Sequence, residues 1–415
     1  MTEENKTKAI LVGIAGRTSE LDECYVSLDE LERLLDTAGG EAIAKVVQVK
    51  ESFDPRTCIG RGKVEEIKAL AENEGAELAV FDFELTAAQI RNLEDDIGVT
   101  VIDRSMLILD IFAKHAVTGE GKLQVELAQL KYSAPRLVGK GVSLSRQGGG
   151  IGSRGPGESK LETDRRHLKE RIAALEERLR EMEHNRAVMR ASRDRSGLSK
   201  IAIVGYTNAG KSTLLNYLTD AGVLSEDKLF ATLDPTTRKM LLPSGETVLL
   251  TDTVGFIRKL PHHLVRAFRS TLDEVRLADI LLVVSDVNDP ELDEHLTVTE
   301  EIAGELGASD KPKIFVYNKS DLAEHIPENQ GEGSVFISAK TGMGIDRLLQ
   351  LISEEIGRAK KKVKLVIPYS VQSLVNAIYN SYSVESADYT DVGVELSVVL
   401  DAKGLGMYGK YIAEN

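Results

Sequence analysis

Cysteine is nearly absent. Cys24 and Cys58 are the only two in 415 residues, which excludes a disulfide framework or a cysteine-rich zinc site and fits a reducing compartment. Long apolar runs are missing as well: none approaches the ~20 residues a membrane-spanning helix needs. The opening MTEENKTK is acidic and polar where a secretory signal is basic and then apolar. Excess positive charge is also lacking. The 52 Lys and Arg against 66 Asp and Glu give −14, so bulk attraction cannot hold this chain on a polyanion, and any such contact has to be local. These absences point to a soluble cytoplasmic protein, and a monomer is expected. What is present is 42% hydrophobic sequence, enough for about two to four domains, each with its own core.

The expected class is α/β, in four parts. Residues 1–118 alternate strand-like runs (AILVGIAG, AKVVQV, LAVFDF, TVIDR) with helix patterns, one opened by a Ser27/Glu30 capping box, one near Val64–Glu72 and one opened by Thr86. Such alternation predicts a small parallel sheet. Gly60-Arg61-Gly62-Lys63 reads as a turn opening a helix. Residues 198–362 repeat the alternation with IAIVG, ETVLLTD, DILLVVSD, KIFVYN and VFIS, and 363–415 predict a small α+β domain: the strand KLVIP, a helix at Val371–Tyr379, and DVGVELSVVL with Val392, Val394, Leu396 and Val398 at period two.

Residues 119–197 differ. Leu123, Leu127 and Leu130, then Leu161, Leu168, Ile172, Leu175, Leu179, Met182 and Met189, recur in the 3.5-residue rhythm of a coiled-coil seam. Two helices joined by one loop predict an antiparallel hairpin, with about 30 residues of the second making an arm of ~45 Å. Residues 131–195 hold 16 Lys and Arg against nine Asp and Glu, a local +7 that leaves −21 on the remainder. Arg136, Lys140, Arg146 and Arg154 sit among glycines in the loop with one acid, Glu158, a composition suited to close contact with an RNA backbone.

Gly205-Tyr206-Thr207-Asn208-Ala209-Gly210-Lys211-Ser212 follows a strand and precedes a helix. In that context G-x-x-x-x-G-K-S is a phosphate-binding P-loop: backbone N–H groups surround the β-phosphate, Lys211 spans the β- and γ-oxygens, and the Ser212 hydroxyl meets Mg2+. Asp252-Thr253-Val254-Gly255 ends the next strand, VLLTD, offering a carboxylate to the magnesium shell and the Gly255 amide to the γ-phosphate. Asn318-Lys319-Ser320-Asp321 selects the base. A carboxylate accepts from guanine N1–H and the exocyclic amine, which adenine does not offer, so Asp321 argues for GTP; Lys319 lies along the base and Ser338-Ala339-Lys340 brings an N–H to guanine O6.

Between the first two elements lies Phe230-Ala231-Thr232-Leu233-Asp234-Pro235-Thr236-Thr237, where a switch segment supplies a second hydroxyl to magnesium. Thr232 is the first choice and Thr236 the second. After Gly255 stands Phe256, which cannot orient water as the glutamine of Ras-like GTPases does, so intrinsic hydrolysis is expected to be slow. Arg258, Lys259, Arg266 and Arg269 follow, read either as a solvated helix face or as contacts to a partner or RNA.

With GGGIGSRGPGESKLETDRR, GYTNAGKS, FATLDPTT, DTVGFIRKLP, NKSD and SAK in this order, the chain resembles the HflX family of translation-associated P-loop GTPases. The resemblance implies a GTPase that binds the large ribosomal subunit through its RNA, is stimulated by it, and separates stalled or stressed ribosomes into subunits. A rival reading keeps the arm as an RNA-remodelling element and nucleotide as its regulator.

Overall fold

The computed structural model describes residues 6–136, 156–194, 198–219, 229–230, 233–261, 264, 268–326, 331–358, 361–400 and 402–413. By its contacts the chain forms two compact units. One comprises Met1–Glu183 with Glu226–Asp234 and Val254–Leu272; the other comprises His184–Ser225, Pro235–Thr253 and Asp273–Asn415. The flanks of both candidate switch segments therefore group with the first unit.

In the first unit β1 (Thr7–Ala15), β2 (Gly40–Val49), β3 (Leu78–Phe81) and β4 (Thr100–Asp103) form a parallel sheet in the order β2-β1-β3-β4. Helices α1 (Leu21–Ala38), α2 (Arg61–Glu74), α3 (Ala87–Ile97) and α4 (Arg104–His115) connect or follow these strands. Ile10, Val12, Phe81, Leu93 and Val101 are buried in one core. Thr86 caps α3 in a capping box with Gln89, as its sequence predicts. The Ser27/Glu30 box is corrected: α1 begins six residues earlier, at Leu21, and both side chains are buried along the helix. They serve a charge cluster instead of a helix end.

Helix α5 (Gly119–Ser133) and the 39-residue α6 (Pro156–Asp194) make up the arm. The long helix exceeds the expected 30 residues because it starts inside the glycine-rich run. Leu175 is buried and Leu168, Ile172, Leu179 and Met182 are half-buried, while the intervening charges face outward. Glu126–Arg171 at 2.6 Å and Lys131–Glu176 at 2.7 Å join the two helices.

The second unit contains a six-stranded sheet in the order β10-β9-β8-β5-β7-β6: Ser334–Phe336, Lys313–Asn318, Ile280–Asp286, Lys200–Val204, Thr247–Asp252 and Thr236–Leu241. All neighbours are parallel except β6 and β7. The five strands expected for 198–362 are there; β6, a sixth, was not foreseen. Helices α7 (Lys211–Thr219), α8 (Arg269–Leu277), α9 (Leu292–Glu305) and α10 (Ile345–Arg358) accompany them. A separate antiparallel sheet, β11 (Lys361–Ile367), β13 (Gly393–Leu400) and β12 (Ser383–Thr390), carries α11 (Ser373–Ser381) and α12 (Ala402–Tyr408). Val394, Leu396 and Val398 are buried as their alternation predicts, whereas Val392 is 70% exposed because the β12–β13 turn intervenes. Among the described residues no helix is long and apolar enough to cross a membrane.

Candidate functional site

The connection from β5 to α7 is the P-loop, and its backbone is unusual for a reason of space. Gly205 and Gly210 have φ of 145° and 89°, and a Cβ on them would collide with the Val284 carbonyl oxygen and the Asn318 amide respectively. Asn208 is also left-handed, at φ 62°. Two neighbours stabilise this path. The Asn318 side-chain amide donates to the Ala209 carbonyl at 2.9 Å and its oxygen accepts from Ala339 N–H at 2.9 Å, so the loops carrying NKSD and SAK are tied to the P-loop. Tyr206 stacks on His295 of α9, centroids 3.6 Å apart and 11° from parallel. Thr207 Oγ1 is buried with no hydrogen-bond partner among the described residues. An orphaned hydroxyl in a ring of backbone donors suits an anionic ligand.

Lys211 is buried and donates to the Tyr206 carbonyl at 2.6 Å. Burial lowers its pKa from the ordinary lysine value to about 8, against the opposing pull of the Asp252 carboxylate. Phosphate would restore the full cation. Nucleotide binding should therefore take up a proton above pH 8: calorimetry at pH 8.5–9 in buffers of different ionisation enthalpy should show net uptake, and affinity should fall as pH rises from about 8 toward the unfolded lysine value. Below about pH 7 the uptake should fade.

Ser212 Oγ donates to Asp252 Oδ2 at 2.6 Å, and Asp252 ends β7 fully buried. A hydroxyl and a carboxylate converging beside a phosphate loop form an oxygen donor set that fits Mg2+. Thr253 is held by its hydroxyl on the Ile203 carbonyl at 2.7 Å. At the base-reading end Lys319 is left-handed (φ 61°), its ammonium pairs with Asp286 at 2.9 Å, and Asn288 donates to its carbonyl at 3.0 Å. Asp321 is exposed, as a base-accepting carboxylate needs to be, and so is Lys340; Ser320, Ser338 and Ala339 are buried. Thr236 opens β6 opposite Asp252 in register.

The switch flanks are built into the first unit. Phe230, buried and left-handed at φ 57°, meets Phe112 of α4 edge to face at 4.7 Å, and Phe112 meets Phe268 likewise. Leu233 is buried. Asp234 accepts from the backbone N–H of Val117 at 3.0 Å and of Thr118 at 2.8 Å and from the Thr118 hydroxyl at 2.5 Å, so its carboxylate sits on the N-terminus of the arm helix α5. That is the end of a helix where negative charge is favourable. Ala231 and Thr232, between these anchors, lie outside the described residues.

Beyond Val254 and Gly255, Phe256 is 1% exposed and Arg258 is buried. Of the basic residues that follow, Arg258 is buried, which overturns a solvated face there, whereas Lys259 is exposed yet paired with an internal acid. The Arg258 carbonyl accepts from Arg104 at 3.1 Å, and Lys259 donates to Asp82 at 2.8 Å and to Ser27 at 2.9 Å. Arg104 in turn pairs with Asp82 at 2.7 Å and Glu30 at 2.5 Å. This buried cluster was missed because its members are scattered over 27–259 with no shared motif. Arg266 and the Arg269 side chain lie outside the described residues.

Arg136, expected on RNA, is turned inward instead. It bonds the Leu85 carbonyl at 2.9 Å, Asp103 at 3.1 Å and the Tyr132 carbonyl, and lies 3.4 Å over the Tyr132 ring. Its role here is to fasten the end of α5 to β4. Lys140, Arg146 and Arg154 lie outside the described residues.

A P-loop on a parallel sheet, a carboxylate at the end of β7 and an exposed aspartate in NKSD define a guanine-nucleotide-binding P-loop GTPase. Residues 26–113, 115–193 and 200–319 match the families described as GTP-binding GTPase N-terminal, GTP-binding GTPase Middle Region and 50S ribosome-binding GTPase. GTPase HflX of Caldanaerobacter subterraneus subsp. tengcongensis is 51% identical over 392 residues, which cover 94% of this chain and 90% of the relative. GTPase HflX of Escherichia coli K12 is 43% identical over 371 residues, 88% of this chain and 87% of that one. A GTP-binding protein from Sulfolobus solfataricus, solved in complex with GDP, is 25% identical with a TM-score of 0.44, covering 85% of this chain and 99% of the other. The chain belongs to the HflX family: it binds and hydrolyses GTP and carries a ribosome-binding GTPase domain.

Proposed function

We propose that this GTPase, a cytoplasmic monomer, binds the large ribosomal subunit in its GTP state and drives stalled or stressed ribosomes apart. Lys211 and the P-loop amides hold the β- and γ-phosphates, Gly255 donates to the γ-phosphate, and Asp321 with Lys319 and Ala339 takes the guanine. Ser212 and Thr232, with Asp252 through water, would hold Mg2+, which supplies neutralisation of phosphate charge. Phe256 orients no water, so the group that does so comes from elsewhere in the chain or from the ribosome. The arm then inserts Lys140, Arg146 and Arg154 into ribosomal RNA, and overlap with a subunit contact separates the particle.

The observation that carries this reading is the double anchorage around Thr232. Drawing Thr232 to a metal pulls on Phe230 and Asp234, and Asp234 holds Thr118, the N-cap of the arm helix. A ligand acts on an equilibrium only through such a difference between states. Asp234→Ala should free the Thr118 cap of α5 and cost on the order of 1 kcal/mol for the lost hydrogen bonds. Amide exchange at Val117 and Thr118 should quicken, and ribosome affinity should respond less to nucleotide; unchanged exchange and unchanged nucleotide dependence would reject the coupling. The reading itself is tested by GTP turnover with and without purified large subunits at two salt concentrations. Strong stimulation that weakens with salt is expected; turnover indifferent to subunits contradicts it.

A further inference from the structure

The P-loop is a costly backbone: a left-handed non-glycine residue such as Asn208 holds strain of order 1–3 kcal/mol and persists only where its surroundings over-determine it. At the Ala209 end that support is Asn318. At the Tyr206 end it is a side chain that no nucleotide motif includes, His295.

The imidazole of His295 lies flat on the Tyr206 ring, and both residues are buried, at 5% and 7% exposure. Asp289 faces its Nδ1 at 3.2 Å and Glu291 its Nε2 at 3.8 Å. Asp289 is itself fixed, since its other oxygen accepts from the Glu291 N–H at 3.0 Å. Two carboxylates thus face the two nitrogens of one ring. The His295 carbonyl accepts from Thr299, fully buried one turn on. The ring is thus immobile, and Tyr206, whose carbonyl receives the Lys211 ammonium, is pinned against it.

The same connection from β8 to α9 supplies Asp286, on Lys319, and Asn288, on the Lys319 carbonyl. One short segment therefore backs the phosphate-binding loop at His295 and the base-reading loop at Asp286 and Asn288. We infer that His295 is a positioning residue of the nucleotide site: its stack on Tyr206 holds the first half of the P-loop in the shape that receives the phosphates. Because that half is used by di- and triphosphate alike, the effect falls on nucleotide binding and not on the chemical step.

The test titrates the full-length protein with fluorescent GDP and a non-hydrolysable GTP analogue. His295→Ala should weaken both about tenfold, while kcat at saturating GTP stays within twofold. His295→Phe keeps a flat ring on Tyr206 without the nitrogens and should recover most of the affinity. Tyr206→Leu should reproduce the loss, and the double variant should lose little more, as for two residues acting through one contact. Affinities within twofold of the parent in His295→Ala overturn the inference. A tenfold loss that tracks lowered thermal stability and is not recovered by His295→Phe overturns it too, because the histidine would then serve the fold alone.

Discussion

Asp82→Ala should destabilise the first unit by about 3–5 kcal/mol, the order found when one partner of a buried ion cluster is removed. Arg104, 2% exposed, and Lys259 would both lose their shared carboxylate. Glu30 remains on Arg104. Denaturant titration checks the figure, and a loss under 1 kcal/mol would show the cluster to be slack. The cluster is also acid-sensitive in a defined direction. Burial pushes the Asp82 carboxyl up, but Arg104, Lys259 and the Ser27 hydroxyl outweigh it and hold the carboxyl below its ordinary range. Its stabilisation is therefore present above the unfolded carboxylate pKa of ~3.9 and is lost as pH falls through the lower folded value. Lys259→Met should lessen that acid sensitivity while freeing the segment after Phe256.

Lys211→Ala should weaken GTP and GDP by about 2–5 kcal/mol, roughly 30- to 5,000-fold, since a desolvated charge partner of the phosphates is removed. The fold should tolerate it. Lys211 is a buried cation that donates to a backbone carbonyl, and burial, which lowers its pKa, disfavours the charge there. Nucleotide affinity should collapse while thermal stability without nucleotide stays level or rises. Unchanged affinity would reject the site.

The nucleotide site was legible because each of its elements is local. A strand, a tight loop and the residues that meet phosphate are contiguous in GYTNAGKS, and DTVG and NKSD each close a strand, so each motif can be read locally although the sheet reorders the strands. The couplings around the site were not legible for the opposite reason. Asp234 and Thr118 are 116 residues apart and Lys259 and Ser27 are 232 apart, and no periodicity joins them. Ser27 and Glu30 misled because a Ser-x-x-Glu spacing fits a capping box and also places both side chains on one face of a helix interior. Strand β12, SVESADYT, shows no run of alternating apolar residues and owes its state to pairing with β13. In Lys259 and Arg136, charge drew attention to surface roles, whereas each is spent on an internal acid.

The account centres on nucleotide control of the arm-bearing unit, and binding of the purified protein to large ribosomal subunits in three states tests it most directly. Empty, GDP-loaded and analogue-loaded protein should differ, with the triphosphate state at least tenfold tighter and the difference reduced in Asp234→Ala. Equal affinity in all three states would contradict it.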